Sequence, residues 1–154
     1  MTTYNWSTQK ALAGITLGMR VDRATSTLPQ TAALDIFNIV GGRVAMTNIV
    51  GEVTTVLGAV GNMSLEVNPT VGTTTALCAV VAAGTAEASS QFSIDGTAGT
   101  AMHFGAGGAC ALQSKPVVMS EGTLAVRCSA SSTGSVQWTL FYVPLDDGAY
   151  VTAA

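Results

Sequence analysis

Charge is what this chain has least of. Asp, Glu, Lys and Arg make up 10% of its 154 residues, against roughly 25% in an ordinary soluble domain. A folded monomer of this mass exposes about 7,200 Å², so these few ionic groups leave most of that surface to hydroxyl, amide and apolar atoms. The six basic residues, Lys10, Arg20, Arg23, Arg43, Lys115 and Arg127, are scattered, and the formal net charge is −3. No stripe of the kind that neutralises phosphates exists, which argues against a nucleic-acid partner. Histidine occurs once, as His103, and cysteine three times, at 78, 110 and 128, with no close pair. Structural zinc sites draw on closely spaced ligands, so buried free thiols in a protein made in a reducing cytoplasm are the expectation. Long unbroken apolar runs are also missing. The charge-free windows Val67–Ala86 and Gly96–Ser114 are interrupted by Gly, Pro or Thr, which excludes a spanning helix. The first residues show no basic segment followed by an apolar one, so no secretory leader is expected.

What is present is strand and turn. Hydrophobic residues reach 48%, with 17 glycines, enough for one core in a chain of this length. Residues 1–33 read as a polar N-terminal arm, or alternatively as a packed first strand plus loop, with a short helix over Thr8–Leu17 ended by Gly18. Residues 34–154 read as the folded domain. Asp35 to Val50 reads as a hairpin about Gly41-Gly42, and Gly51 as a bulge or bend where a long ribbon changes sheet. Ser64–Asn68 alternates, with Leu65 and Val67 inward. Thr74–Ala83 reads as a strand buried on both faces, and Asp95-Gly96 as a two-residue hairpin turn. Leu124, Val126 and Cys128 share one face of a strand; Val136, Trp138, Leu140 and Tyr142 share one face of another. About eight strands without crossover helices make an all-β fold, an antiparallel β-sandwich or barrel with an N-terminal extended arm.

No constellation of catalytic side chains emerges. His103 with the three cysteines lacks ligand spacing, and Asp146-Asp147-Gly148 reads as a turn rather than half of a calcium loop, because Ala149 and Val151 offer no side-chain oxygen. Gly105-Ala-Gly-Gly lacks the lysine and helix of a phosphate cradle. The residues therefore read as an interaction protein and not an enzyme, with no cofactor and no metal. Trp6, an aromatic on a polar segment, is the candidate anchor for a partner's pocket. Arg20 and Arg23, from the charge cluster at 20–23, join it as candidate partner-contacting residues.

Two phrases carry a resemblance: Gly42-Arg-Val-Ala-Met-Thr-Asn-Ile-Val-Gly-Glu-Val-Thr-Thr-Val-Leu and Gly134-Ser-Val-Gln-Trp-Thr-Leu-Phe-Tyr-Val-Pro-Leu-Asp-Asp-Gly-Ala. Together they resemble small β-rich virion structural proteins of tailed bacteriophages, over residues 34–154. The resemblance implies a capsid decoration (cement) protein that assembles with itself as a homotrimer. It would sit on the major capsid protein at the virion surface after synthesis in the host cytoplasm, with no membrane partner. Its alternative is a head or tail fibre or baseplate module that binds host-surface carbohydrate through Trp138, Phe141 and Tyr142.

Overall fold

Period-two alternation on the longest strands sets the architecture. In the computed structural model, which describes residues 14–29, 32–58 and 61–154, twelve strands form two antiparallel six-stranded sheets packed face to face. In chain order they are β1 Met19–Thr27, β2 Ala33–Val40, β3 Val44–Thr55, β4 Asn62–Pro69, β5 Thr75–Ala76, β6 Val81–Ala82, β7 Gln91–Ser93, β8 His103–Gly105, β9 Val117–Met119, β10 Gly122–Cys128, β11 Ser135–Pro144 and β12 Tyr150–Ala153. The front sheet runs β1-β11-β3-β7-β8, with β9 also on β3; the back sheet runs β12-β2-β10-β4-β5, with β6 also on β4. The sheets do not close into a barrel, so the all-β sandwich is the architecture. Twelve strands appear where about eight were read; among the additions, β1 lies within residues 1–33, β8 lies in the Gly- and Ala-rich stretch after Asp95-Gly96, and Thr74–Ala83 holds two strands, β5 and β6.

Successive long strands change sheet: β1 front, β2 back, β3 front, β4 back, then β10 back and β11 front. This is the doubly Greek-key winding of a jelly roll. It corrects the expected hairpin at Gly41-Gly42, since β2 and β3 lie in different sheets and share no ladder. The link is pinned instead from 103 residues away. Asp146 accepts hydrogen bonds from the Arg43 backbone N–H at 2.7 Å, from its Nε at 3.0 Å and from its Nη2 at 2.7 Å. Those bonds hold the Asp146 carboxyl at about 2, below its ordinary 3.8. A carboxyl depressed by folding contributes stability that is complete above its unfolded value and drains away as pH falls from about 4 through about 2. Asp146→Asn is expected to remove that part of the acid limb. A carboxyl NMR titration of Asp146 with a midpoint near 3.8 would contradict this origin of the acid limb.

The core is the pair of facing inner rows. β11 contributes Val136, Trp138, Leu140 and Tyr142, and β10 contributes Leu124, Val126 and Cys128, all at most 2% exposed. Both alternations follow the sequence reading, as do the inward Leu65 and Val67 on β4. Each fully buried Leu- or Val-sized side chain is worth about 1.5–3 kcal/mol against exposure. On β2 a bulge opposite Leu124 and Ala125 lets consecutive Ile36 and Phe37 both enter the core.

Three further expectations are corrected. Gly51 is no bend: β3 runs through it within the front sheet, paired with Trp138 on one side and Phe92 on the other. A Cβ there would lie 2.6 Å from the Trp138 ring, so the glycine makes room for the indole. Thr74–Ala83 is not one buried strand. Within it only Leu77, Cys78 and Ala83 point inward, the first two adjacent, which breaks the period; the backbone breaks into β5 and β6, and Ala79 bonds instead to Thr100 and Met102. Asp95-Gly96 does not close a two-residue hairpin, because β7 and β8 are joined by residues 94–102. The carbonyl of Asp95 accepts the N–H groups of Ser114 and Lys115.

The front sheet begins at Met19, inside the segment read as an arm. Residues 14–16 are helical, and Gly18, at φ +90°, donates its N–H to the Gly14 carbonyl. That is the left-handed residue a helix end favours, at the position read as the helix stop. The rest of the expected Thr8–Leu17 helix, residues 8–13, lies outside the described residues.

Candidate interaction surface

Among the described residues, one long edge and one face of the sandwich are uncovered. β1 pairs with β11 from Met19↔Tyr142 through Arg23↔Trp138, then shifts register before Ser26↔Val136. Among the described residues it pairs with no strand on its other side. At nine residues it is the longest edge strand; β5, β8 and β12 have two to four. Such an edge presents a row of unpaired backbone groups, and the bulge after Arg23 limits the straight part to Met19–Arg23.

Arg20 and Arg23 both lie on β1 but on opposite faces. Arg20 stands in the outer row with Phe141 and Asn48, and its Nε donates to Asp22 Oδ1 at 2.9 Å. Asp22, in the next outer row, also accepts from Thr139 Oγ1 at 2.7 Å. Partial burial works to raise the Asp22 carboxyl, but the bonds from Thr139 and Arg20 outweigh it and hold it below the usual range. Arg23 stands in the inner row with Trp138; its Nε reaches across to donate to the Ala154 carbonyl, just past β12 of the back sheet, at 3.3 Å, and its Nη1 meets Ser26 Oγ on β1 itself. Its side chain bridges the two sheets at this edge. Trp6 lies outside the described residues.

The open face is the outer side of the front sheet near the β9 end. Val143, Ala45 and Val118 sit side by side on β11, β3 and β9, with Val118 61% and Val143 43% exposed. Gly18 abuts Val143, so the chain entering β1 borders this row. Leu145, Met19 and Ile15 are also exposed. In the sequence, Phe141 and Val143 alternating with the core residues of β11 hint that both faces of that strand are covered; Ala45 and Val118, which complete the row, carry no such hint.

Trp138 and Tyr142 are core residues, and only Phe141 is half-buried on the outer face. The three do not form an exposed cluster. His103 is on β8, its Nδ1 3.0 Å from the Ala111 carbonyl. Cys78 and Cys128 are buried free thiols and Cys110 is half-buried; burial pushes all three up, Cys128 to about 11. Among the described residues no group of three His, Cys, Asp or Glu side chains is placed to hold a metal. Nor is any helix among them long and apolar enough to cross a membrane. An open groove of 480 Å³ beside β8 is walled by residues 82–87, Phe104 and Ala106, and Phe104 stacks on Phe92 at 5.1 Å to seal the core beneath it.

Among the described residues, fold and surface together define an all-β sandwich with jelly-roll winding, one long open edge and one exposed apolar row. No family model, no curated protein and no solved structure matches this chain.

Proposed function

We propose that this protein is a structural component of a virus particle, a capsid-decorating protein of the tailed-bacteriophage kind that assembles with copies of itself and lies on the shell of the major capsid protein. The observation that carries the reading is the exposed row Val143–Ala45–Val118 on the outer face of the front sheet, in a chain with 10% charged residues. An apolar strip on a weakly ionic surface is the form of a face that neighbours cover. The jelly roll recurs in viral coat and lectin domains, which supports the reading by fold analogy alone. The trimer implied by the resemblance belongs to this reading as one arrangement of the copies. Decoration stabilises a shell by mass action, since it binds the assembled form and not the dispersed one. The carbohydrate-binding alternative relied on exposed Trp138 and Tyr142, and both are core residues.

Light scattering on the purified chain at micromolar concentration tests the reading. The expected particle has a mass that is a multiple of 15.5 kDa, and Val118→Asp lowers its association. A persistent 15.5 kDa monomer overturns the proposal.

A further inference from the structure

We infer that the straight part of the β1 edge, Met19–Arg23, is the seat of a second copy of this chain, paired antiparallel about a two-fold axis through Val21. The inference rests on the self-association proposed above and names an edge that copies share in pairs, a two-fold dimer rather than the trimer that the resemblance implies. Register decides where the axis falls. In an antiparallel pair related by a two-fold axis, the residues facing each other are equidistant from the axis, and residues directly opposite share a face. Centring on Val21 places Arg20 opposite the second copy's Asp22, and Asp22 opposite its Arg20, on the outer face where both side chains already lie. Val21, half-buried against the core, then meets its twin on the inner face. Met19 meets Arg23, and the pairing stops where the bulge begins after Arg23.

Neighbouring registers fail on charge or on face. Centring on Arg20, Asp22 or Arg23 opposes like charges at the axis, which is destabilising. Moving the axis by half a residue, to between Val21 and Asp22, sets an outer side chain against an inner one. Within this strip the Val21 centre alone pairs opposite charges twice. Each strand adds its unused backbone row to the other, so the two front sheets join into one. Asp22, Thr139 and Arg20 form a connected polar group on one copy; across the axis the two groups lie side by side with alternating sign.

The test uses the full chain and two single substitutions with opposite charge outcomes. Arg20→Asp gives a copy with acids at both positions, and Asp22→Arg gives a copy with arginines at both. Each alone opposes like charges twice and is expected to weaken self-association by at least about tenfold, with the far-UV circular dichroism unchanged. Mixing the two variants restores opposite charges at both contacts, although neither copy retains its internal Arg20–Asp22 pair, so the mixture is expected to return to the dimer mass. The double exchange Arg20→Asp with Asp22→Arg also dimerises. Dimers in both single variants, or an assembly of another order that ignores these charges, overturn this edge while leaving self-association standing. A monomeric parent chain overturns both.

Discussion

Gly51→Ala lowers the stability of the fold by about 1–3 kcal/mol, the usual cost of forcing extra volume into a packed core. The direction is the opposite of what backbone entropy alone gives, because replacing glycine by alanine in an ordinary conformation stabilises by about 0.4–1 kcal/mol through the unfolded chain. Gly51 is not among the positive-φ glycines, so the loss is steric. The added methyl would lie 2.6 Å from one atom of the Trp138 six-membered ring and 2.8 Å from two others. That indole is 1% exposed and cannot swing into solvent. Trp138→Leu removes those ring atoms and by itself costs about 2–5 kcal/mol, as other large-to-small core changes do. In the double variant the new methyl enters space the indole has vacated, so the two losses do not add. The coupling is expected at about 0.5–3 kcal/mol in the favourable direction. Urea denaturation of the four proteins of this cycle measures it, and strictly additive losses would show that the glycine answers to something other than the tryptophan.

The same pair shows which parts of the fold were readable in advance. The inner rows of β10 and β11 were legible because a strand with one dry face must repeat every second residue, and Leu124, Val126, Trp138 and Leu140 do so. Crossings between sheets were not legible. A Gly-Gly turn serves a hairpin and a sheet-to-sheet link equally well, and the bonds beside it here come from Asp146, which is distant in sequence. Gly51 signalled that something approaches the backbone, but a glycine does not say whether the approach is a bend or a ring. Thr74–Ala83 misled because apolar composition was read without asking which residues can face the same way. For the surface, the charges at 20–23 were legible as a cluster. Their division between two faces was not, because β1 holds only Met19 and Val21 as large apolar residues, too few to announce a strand. Period two, once β1 is known, separates Arg20 from Arg23.

Gln113→Glu is expected to make the stability of the fold fall as pH rises from about 4 towards neutrality. No strand pattern pointed to this residue, yet it fills the gap where β3 passes from β9 to β7 as its partner. It is 8% exposed. Its Nε2 donates to the Met46 carbonyl at 3.2 Å and the Lys115 carbonyl at 2.7 Å, and its backbone N–H donates to Asn48 Oδ1 at 3.1 Å. Ser93 Oγ satisfies Ile49 a few residues on, at 2.8 Å. These side chains stand in for a ladder that is missing there. A glutamate has nearly the same shape, but when ionised it sets carboxylate oxygens against two carbonyl oxygens in a buried place. The folded state then prefers the protonated acid, which can still donate one hydrogen bond, so the folded pKa rises above the ordinary value of about 4.3. A raised carboxyl pKa leaves stability least affected below the unfolded value and removes it as pH climbs through the folded one. Raising that pKa tenfold in proton affinity removes about 1.4 kcal/mol once the pH is well above it. Gln113→Met removes donor and charge together, and is expected to cost about 1–3 kcal/mol for the carbonyls left unpaired, with no such slope. Thermal melts from about pH 4 to 7 separate the two, in a window above the one in which Asp146 titrates. Parallel curves for the glutamate and methionine variants would mean that the amide fills space at this position and does not serve as the donor that holds the front sheet together.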